Sequence, residues 1–315
     1  MPDNVARLLK MAEAEFPDLT EPEREVVRCA ANGELADLSP LGPPTPPELE
    51  TKLAKKFNPG GRQLRSAVVE WLCTDERVKN RVHRKGVFII HASLDEVLDL
   101  QHADVPFFFG LHACRLPGLD AQGARIGSNL YLRLCHIDGR FDLNSSRIGG
   151  QLLCDGTRVQ GADGISIRAD GADIGGIVFL SNGFRAVGEV RLLGAKIKGQ
   201  LNCKNGHFQN HDGKALNLDN AAIEYDVLLS EGFQAVGEVR LMGAKIQGQL
   251  NCNGGTFQNE AGYAVNLHGA VISDAMFLEP KRLRGEVGLH GAEVTGTLRM
   301  LSDSTAKASL DLRSA

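Results

Sequence analysis

From residue 87 to residue 300, small or apolar side chains recur in pairs two residues apart, and successive pairs are five or six residues apart. The second members of the first pairs are Ile89, Leu94, Leu100, Val105, Leu111, Leu116, Ala121, Ile126, Leu132 and Ile137. This spacing fits neither the 3.6-residue period of a helix nor the two-residue period of a flat strand. It predicts a chain that turns a corner after each short strand, with two inward side chains per strand.

A repeat of 49 residues contains this pattern. The segment GFRAVGEVRLLGAKIKGQLNCKNGHFQN begins at Gly183, and its near copy GFQAVGEVRLMGAKIQGQLNCNGGTFQN begins at Gly232. An earlier copy ends at Cys154, and a decayed copy runs from Gly285 to Met300. Four short strands close a square coil of about 22 residues, so two coils and insertions such as 209–214 make up one repeat. Residues 86–315 are therefore predicted to form a quadrilateral β-helix of about ten coils, roughly 50 Å long.

The residue composition suits this architecture. The chain has 36 glycines and only 5% aromatic residues, as expected for many tight corners around a narrow interior. Hydrophobic residues make up 43% and charged residues 23%, and no apolar run reaches about 18 residues, so we expect a globular chain without membrane insertion. The N-terminus lacks the apolar core of a signal peptide, which predicts a cytoplasmic protein.

The seven cysteines are predicted to be free thiols. Their number is odd and no CxxC motif occurs, which favours a reducing compartment over a disulfide framework or a metal site. Cys154, Cys203 and Cys252 lie 49 residues apart. We expect them in one interior column, two coils or roughly 10 Å apart, which is too far for disulfides. They are interpreted as buried hydrophobic residues.

Residues 1–85 follow a different pattern and are predicted to form an α-helical cap on the first coil, near Val87–Ile89. Helical spacing of apolar residues predicts helices over 4–16 and 63–73. A capping box from Thr20 to Glu23 opens another helix, and a further one is expected from Thr45 to Lys56, after the proline-rich segment 39–48. Such a cap would cover the exposed sheet edge at this end of the solenoid.

The opposite end is predicted to be open. The segment KASLDLRSA (307–315) echoes KALNLDNA (214–221), so the sequence stops inside a repeat. We expect a natural chain that continues further, or a last coil that pairs with another molecule. End-to-end self-association through this edge is the structural hypothesis.

The steps LLGAKI (192–197) and LMGAKI (241–246) resemble those of the pentapeptide-repeat proteins, although this chain mixes steps of five and six residues. That resemblance implies a right-handed quadrilateral β-helix. Over almost its full length the chain also resembles a bacterial family of β-helix proteins that often carries the label "membrane-associated oxidoreductase". The segments that carry this likeness are EPEREVVRCAANGE, RQLRSAVVEWLC, HRKGVFIIHASL and the repeat GEVRLLGAKIKGQLNC.

Motifs for catalysis or cofactor binding are absent from the sequence. No GxGxxG turn opens a helix, and no GxxxxGK[ST], GxSxG or HExxH occurs. We therefore predict no catalytic, cofactor-binding or metal-ligating residues, and no cofactor. The acidic residues considered for acid–base chemistry are scattered and are interpreted as corner and surface residues: Asp95, Asp99, Asp104, Asp138, Asp142, Asp170 and Asp173.

Three other groups of residues could still carry a function. His91 and His102 are half a coil apart and should lie on opposite sides of the rod. His268 and His290 are one coil apart and should stack about 5 Å from each other; stacked surface imidazoles are the favoured interpretation and a two-histidine metal site the alternative. His207 and His211 are expected in a solvated loop.

A basic segment and a phenylalanine triplet complete the candidates. RVKNRVHRK (77–85) contains five basic residues and no acidic one; it is interpreted as a solvated connector, with binding to a phosphate, nucleic acid or acidic partner as the alternative. In Phe107–Phe109 the outer two rings should point inward. Phe108 should point outward, against the cap or into a partner surface.

These observations favour a non-catalytic scaffold or assembly subunit that presents a rigid solenoid surface to an unknown protein partner. One alternative is a DNA mimic of the pentapeptide-repeat type that binds a DNA-processing enzyme, which would need a strongly acidic rod. Basic and acidic residues balance over residues 1–85, so the net charge of −4 lies on residues 86–315. The other alternative is the oxidoreductase implied by the family label. Nucleic-acid binding is not expected, because aromatic residues do not alternate with the basic ones.

Overall fold

The computed structural model describes residues 2–39 and 62–300, together with the backbone of residues 310–311. In these residues the chain is mainly β, as predicted: short parallel strands stack into a four-sided solenoid preceded by helices. The solenoid has about nine turns, counted on its nine-stranded face, rather than about ten. The predicted tenth coil used residues that lie largely outside the described ranges.

The described N-terminal residues form four helices. These are α1 (Pro2–Glu15), α2 (Glu21–Asn32), α3 (Ser66–Thr74) and α4 (Glu76–Lys79). The predicted capping box opens α2, where the backbone N–H of Thr20 donates to the Glu23 carboxylate over 2.7 Å. The helix predicted from Thr45 to Lys56 and most of the proline-rich segment lie outside the described residues. None of the described helices is long and apolar enough to cross a membrane.

The described residues contain 34 strands. The first fourteen are β1 (Leu35–Asp37), β2 (Arg62–Leu64), β3 (Val87–Ile90), β4 (Ala92–Leu94), β5 (Leu98–Asp99), β6 (Asp104–Val105), β7 (Phe109–His112), β8 (Arg115–Leu116), β9 (Leu119–Asp120), β10 (Arg125–Ile126), β11 (Leu130–Arg133), β12 (His136–Ile137), β13 (Phe141–Asp142) and β14 (Arg147–Ile148). The next ten are β15 (Leu152–Leu153), β16 (Arg158–Arg168), β17 (Asp173–Ile174), β18 (Val178–Phe179), β19 (Arg185–Arg191), β20 (Lys196–Ile197), β21 (Leu201–Asn202), β22 (His207–Asn217), β23 (Ala222–Ile223) and β24 (Val227–Leu228). The last ten are β25 (Gln234–Arg240), β26 (Lys245–Ile246), β27 (Leu250–Asn251), β28 (Thr256–Asn266), β29 (Val271–Ile272), β30 (Met276–Leu278), β31 (Arg282–Gly288), β32 (Glu293–Val294), β33 (Leu298–Met300) and β34 (Leu310–Asp311).

These strands lie on four faces, which we number in the order in which the chain visits them. Face 1 contains β1, β3, β7, β11, β15, β18, β21, β24, β27, β30 and β33. Face 2 contains β2, β4, β8, β12 and the first halves of β16, β19, β22, β25, β28 and β31, whose second halves lie on face 3. Face 3 also contains β5, β9, β13 and β34, and face 4 contains β6, β10, β14, β17, β20, β23, β26, β29 and β32.

The cap differs from the prediction because it also contributes strands. β1 pairs in parallel with β3, and β2 pairs with β4, so two short N-terminal strands cover the edge of the first turn. The helix predicted over 63–73 begins only at Ser66, because Leu64 is buried and its strand pairs with β4. The terminal edge is thus covered by hydrogen-bonded strands as well as by helices.

The inward residues follow the predicted ladder. Every second-member position from Ile89 to Val159 is buried, and partly exposed members first occur near the end of the described solenoid, at Leu283, Val294 and Met300. Cys154, Cys203 and Cys252 share one interior column, as predicted, with Leu180 and Leu229 between them. All seven cysteines are free and buried. Burial raises the pKa of the Cys252 thiol to about 12.

Corner residues explain much of the glycine content. At the corner between faces 3 and 4, positive φ recurs from His102 through Ser145 and Asn220 to Gly291. Glycine and asparagine adopt this conformation easily, as predicted. The early turns depart from that expectation, because Ala113 and Leu134 also have φ above +50° at the corner between faces 1 and 2.

The 49-residue repeat arises because turns of two lengths alternate. One outward position of face 2 is Arg158, Arg185, His207 and Gln234 on successive turns, so steps of 27, 22 and 27 residues follow one another. Each longer turn contains a four-residue excursion, which we call an arch, between faces 2 and 3. The arches are 161–164, 210–213 and 259–262, where the strand register shifts.

In the turns of the 49-residue repeat, the two inward positions at the start of face 2 hold one large and one small residue, and their order reverses from each turn to the next. Phe184, Phe208, Phe233 and Phe257 form an interior stack with ring centroids 5.2 to 5.4 Å apart. Beside Phe208 the partner inward position is Gly206, where an added Cβ would lie 2.8 Å from the Phe208 ring. The rings therefore stack because a glycine or an alanine leaves room for each of them.

Candidate functional site

The four faces differ in their outward side chains, although the inward side chains of all four are small or apolar. We call the side chains that point outward at equivalent positions on successive turns the outward row of a face. On face 1 this row is Phe88, Gly110, Tyr131, Leu153, Phe179, Asn202, Leu228, Asn251, Phe277 and Arg299. Six of these ten side chains are aromatic or aliphatic; five of the six are partly exposed and Leu228 is buried, and no carboxylate interrupts the row.

The other outward rows are charged or polar. Face 4 mixes the two signs: Asp104, Arg125, Arg147, Asp173, Lys196, Ala222, Lys245, Val271 and Glu293. Face 3 begins with Asp99, Asp120 and Asp142 and continues with arginines and asparagines. Face 2 is mainly basic. Among the described residues, no outward row is uniformly acidic, and only that of face 1 is predominantly apolar.

An aromatic cluster forms the N-terminal end of the face 1 row. Phe88 lies edge-on to Phe108, with ring centroids 5.5 Å apart, and to Tyr131 at 5.2 Å. Gly110 stands between Phe88 and Tyr131 in the row, and a Cβ there would lie 2.7 Å from the Phe108 ring. The Phe108 ring therefore covers Gly110 and completes an aromatic surface over three turns. Phe108 points outward as predicted, while Phe107 and Phe109 are buried.

A polar edge holds Tyr131 in place. The Nδ1 atom of His112 lies 3.2 Å from the Tyr131 hydroxyl, and the Arg133 guanidinium lies 6.0 Å from the centre of the Tyr131 ring. Burial, together with the charges of Arg133 and His91, lowers the pKa of His112 to about 4. His112 is therefore neutral near pH 7. Arg133 is also 3.4 Å from the Asp155 carboxylate, so its position is fixed from both sides.

A depression of about 280 Å³ separates this cluster from the cap. Leu35, Phe88 and Phe108 form its apolar wall, and Glu34 and Lys85 lie at its rim. Gly86 has φ of +84°, and a Cβ there would lie 1.9 Å from the Phe108 carbonyl oxygen. The apolar surface of face 1 thus continues across the junction with the cap.

Most of the histidine candidates lie where the pattern placed them, and His207 is the exception. His91 is at the corner between faces 1 and 2 and His102 at that between faces 3 and 4, which are diagonally opposite. His268 and His290 are neighbours, as predicted, but lie edge-on rather than stacked, with ring centroids 6.0 Å apart; Tyr263 lies edge-on to His268 at 5.1 Å. His211 lies in an arch, as predicted, whereas His207 starts β22 on face 2. No group of three metal-ligating side chains occurs among the described residues.

Most of the acidic candidates form hydrogen bonds or ion pairs with other residues of the protein. Asp95 accepts a hydrogen bond from the Ser66 backbone over 2.8 Å, and Asp138 pairs with Arg115 at 2.7 Å. Asp142 is buried and lies 2.8 Å from Arg140. The remaining contacts are Asp99 to the Gln101 backbone at 2.9 Å, Asp170 to Arg191 at 2.7 Å, and Asp173 to Arg147 at 3.6 Å. Asp104 is exposed in the outward row of face 4.

The basic segment 77–85 does not form one continuous cationic surface. Arg77 pairs with Asp75 at 2.6 Å, and Lys79 is largely buried, 2.7 Å from Glu76. Val78 and Val82 of the same segment are buried. The segment connects the cap to the first turn, as predicted, but it is not the fully solvated connector that was expected, because some of its charges are paired and part of it is buried.

The outward rows themselves were not found from the sequence. On face 1 the step between successive members varies from 21 residues, between Gly110 and Tyr131, to 26 residues, between Leu153 and Phe179. A search at any fixed period misses such a row. The outward residue directly precedes an inward residue in each strand, so its position could be read from the sequence. Only the strand register shows which of these outward residues share a face.

Comparison with known proteins gives no relative from which a function could be transferred. No protein-family model matches the chain, and neither a curated protein nor a solved structure does so. The architecture, a β-solenoid repeat protein, therefore rests on the coordinates alone.

Proposed function

We propose that the protein is a non-catalytic interaction scaffold that binds a protein partner through the outward row of face 1. The observation that carries this proposal is the contrast between the faces: the apolar row with its aromatic cluster lies on one face, while the outward rows of the other three are mainly charged or polar. Extended apolar surfaces on soluble proteins are typical of interaction sites.

The composition of the aromatic cluster supports binding to a protein. Aromatic residues and arginine are enriched in the parts of interfaces that contribute most to affinity, and Phe88, Phe108, Tyr131 and Arg133 combine these types. The rings pack against each other and against backbone, so little side-chain entropy is lost when a partner covers them. A solenoid also presents its row on a rigid surface, because each turn is fixed by both neighbours.

The positions of the acidic side chains support a non-catalytic role. Acid–base catalysis needs carboxylates that can reach a substrate in a pocket. Asp138, Asp142 and Asp170 instead pair with arginines on the outside of the rod. We further propose a cytoplasmic protein related to the pentapeptide-repeat solenoids; seven buried free thiols and the four-sided coil support this.

Site-specific photo-crosslinking in the native host tests the proposal. Benzoylphenylalanine is introduced at Phe179 or Phe277 on face 1, and at Lys196 or Lys245 on face 4 as matched outward controls. We expect one partner protein to be captured from both face 1 positions and from neither control. Capture from the controls alone, equal capture from both faces, or no capture refutes a partner on face 1.

The ultraviolet–visible absorption spectrum of the purified protein tests the non-catalytic part. We expect no flavin or nicotinamide absorbance. A stoichiometric chromophore that co-purifies with the protein would favour the oxidoreductase alternative instead.

A further inference from the structure

Face 2 carries a row of basic side chains that the proposed scaffold function does not use. Its outward positions on five successive turns are all basic, and a sixth basic side chain follows three turns later: Arg115, His136, Arg158, Arg185, His207 and Arg282. Neighbouring strands lie about 4.8 Å apart, so the row from Arg115 to Arg282 is roughly 34 Å long. Four of the six are arginines, in a chain whose net charge is −4 with histidine counted as neutral.

An acidic side chain of the protein itself lies against the N-terminal end of this row. Asp138 lies 2.7 Å from Arg115 and 2.8 Å from His136. Further along, Arg185 and Arg282 make no ion pair with any described residue. Burial and the nearby charge of Arg185 lower the pKa of His207. His207 is therefore favoured in its neutral form, and the positive charge left for an anionic ligand on this part of the face is that of the two arginines.

A second row on the same face indicates what kind of anion fits. Beside the basic row, successive turns present Gln160, Val187, Gln209, Val236 and Gln258. A side-chain amide both donates and accepts hydrogen bonds, as a peptide backbone does. The valines, of which Val187 is 46% exposed, offer apolar contact between the amides. A polypeptide suits this alternation, because its backbone can form hydrogen bonds with the glutamines and its aliphatic atoms can contact the valines.

The same two rows are poorly suited to single-stranded nucleic acid. Binding of that kind combines cationic side chains with aromatic rings on which the bases stack. The intervening members of the basic row are Gln234 and Thr256, so neither row contains a phenylalanine, tyrosine or tryptophan from Arg115 to Arg282. The bases would have no large aromatic ring on which to stack on this face.

We propose that face 2 binds an extended acidic polypeptide segment that runs along the rod. Its carboxylates pair with the basic row, and its backbone lies along the row of glutamine and valine. At about 3.4 Å per residue, a segment of roughly ten residues spans the row. This site lies on a different face from the aromatic cluster and does not depend on the function proposed for face 1.

The test measures binding of a fluorescein-labelled peptide of about 12 residues in which Glu alternates with Ser, by anisotropy at about 50 mM salt. The variant R185Q/R282Q removes two charges from face 2. The matched control K196Q/K245Q removes two exposed charges from face 4 and changes the net charge equally. We expect R185Q/R282Q to weaken binding at least about fivefold and the control to change it less than about twofold.

Several results would overturn the proposal. They are absence of binding by the wild type, the same loss in both variants, or tighter binding of an oligonucleotide of equal length and charge. A peptide with Gln in place of Glu should not bind. Circular dichroism and thermal unfolding of each variant confirm that it is folded. The face 1 crosslinks should persist in R185Q/R282Q, so the two proposals can fail independently.

Discussion

Replacing Gly237 with alanine tests how the arches are accommodated. Gly237 lies in β25 beside the arch 210–213 of the preceding turn, with φ of +111°. An added Cβ would lie 2.2 Å from the Asn210 carbonyl oxygen and 2.7 Å from that of Gly213. Both contacts are with backbone, so no side-chain rotation relieves them, and the φ value is unfavourable for alanine.

The expected destabilisation follows from three contributions. Holding a residue other than glycine at this φ costs about 1–3 kcal/mol, and forcing the backbone apart costs about 1–3 kcal/mol. The lower entropy of the unfolded alanine chain offsets about 0.4–1 kcal/mol. We therefore expect G237A to lower the free energy of unfolding by about 3 kcal/mol, measured by urea denaturation.

The matched control is G262A in the next arch. Gly262 does not have positive φ, and its Cβ would meet nothing closer than the Asn259 Nδ2 atom at 3.8 Å. We expect G262A to change stability by less than about 1 kcal/mol. Hydrogen exchange should also accelerate in G237A around residues 209–214, where β22 pairs with β25. A loss below about 1 kcal/mol in G237A, or an equal loss in both variants, would refute the explanation.

Three further predictions concern the interior and the cap. Phe208 is buried between the rings of Phe184 and Phe233. F208A should therefore lower the free energy of unfolding by about 3–5 kcal/mol in a denaturation assay, and F208L should lower it by less. Equal losses of stability in the two variants would argue against the stack. Burial alone would raise the pKa of Glu23, but hydrogen bonds from Arg65 and Thr20 lower it from 4.5 to about 2. E23Q should therefore be less stable than the wild type at pH 7, and this difference should disappear as the pH falls from about 4.5 towards 2; a difference that does not depend on pH would contradict this assignment. The cysteines are buried, and Cys252 has a pKa of about 12, so a thiol reagent at pH 8 should modify none of the seven before unfolding; rapid modification of the native protein would contradict the packing.

The sequence allowed the interior to be predicted because inward positions obey a strict physical rule. Each short strand must bury two side chains in a narrow coil, so apolar residues recur at every strand whatever the turn length. This is why Ile89, Leu132 and Cys154 could be assigned to the interior individually. The two-turn repeat was visible because the segments that begin at Gly183 and Gly232 are near copies of each other.

The capping strands could not be predicted in this way. β1 and β2 are only three residues long, and their pairing with β3 and β4 is a tertiary contact. A three-residue segment has too few alternations to indicate a strand. Leu64 was therefore assigned to a helix by its spacing from Val68, although the edge of the first turn holds it in a strand.

The separation between inward and outward positions determines how the proposed sites can be tested. A substitution such as F208A changes the packing of several turns, so its effect on binding would be confounded with unfolding. Phe179 and Arg185 point outward on turns whose interiors are filled by other residues, and exposed substitutions of this kind usually change stability by less than about 0.5 kcal/mol. A loss of binding after such a substitution, with unchanged unfolding, therefore reports on the face itself. Because the faces share one interior, a variant of one face is also the natural control for another.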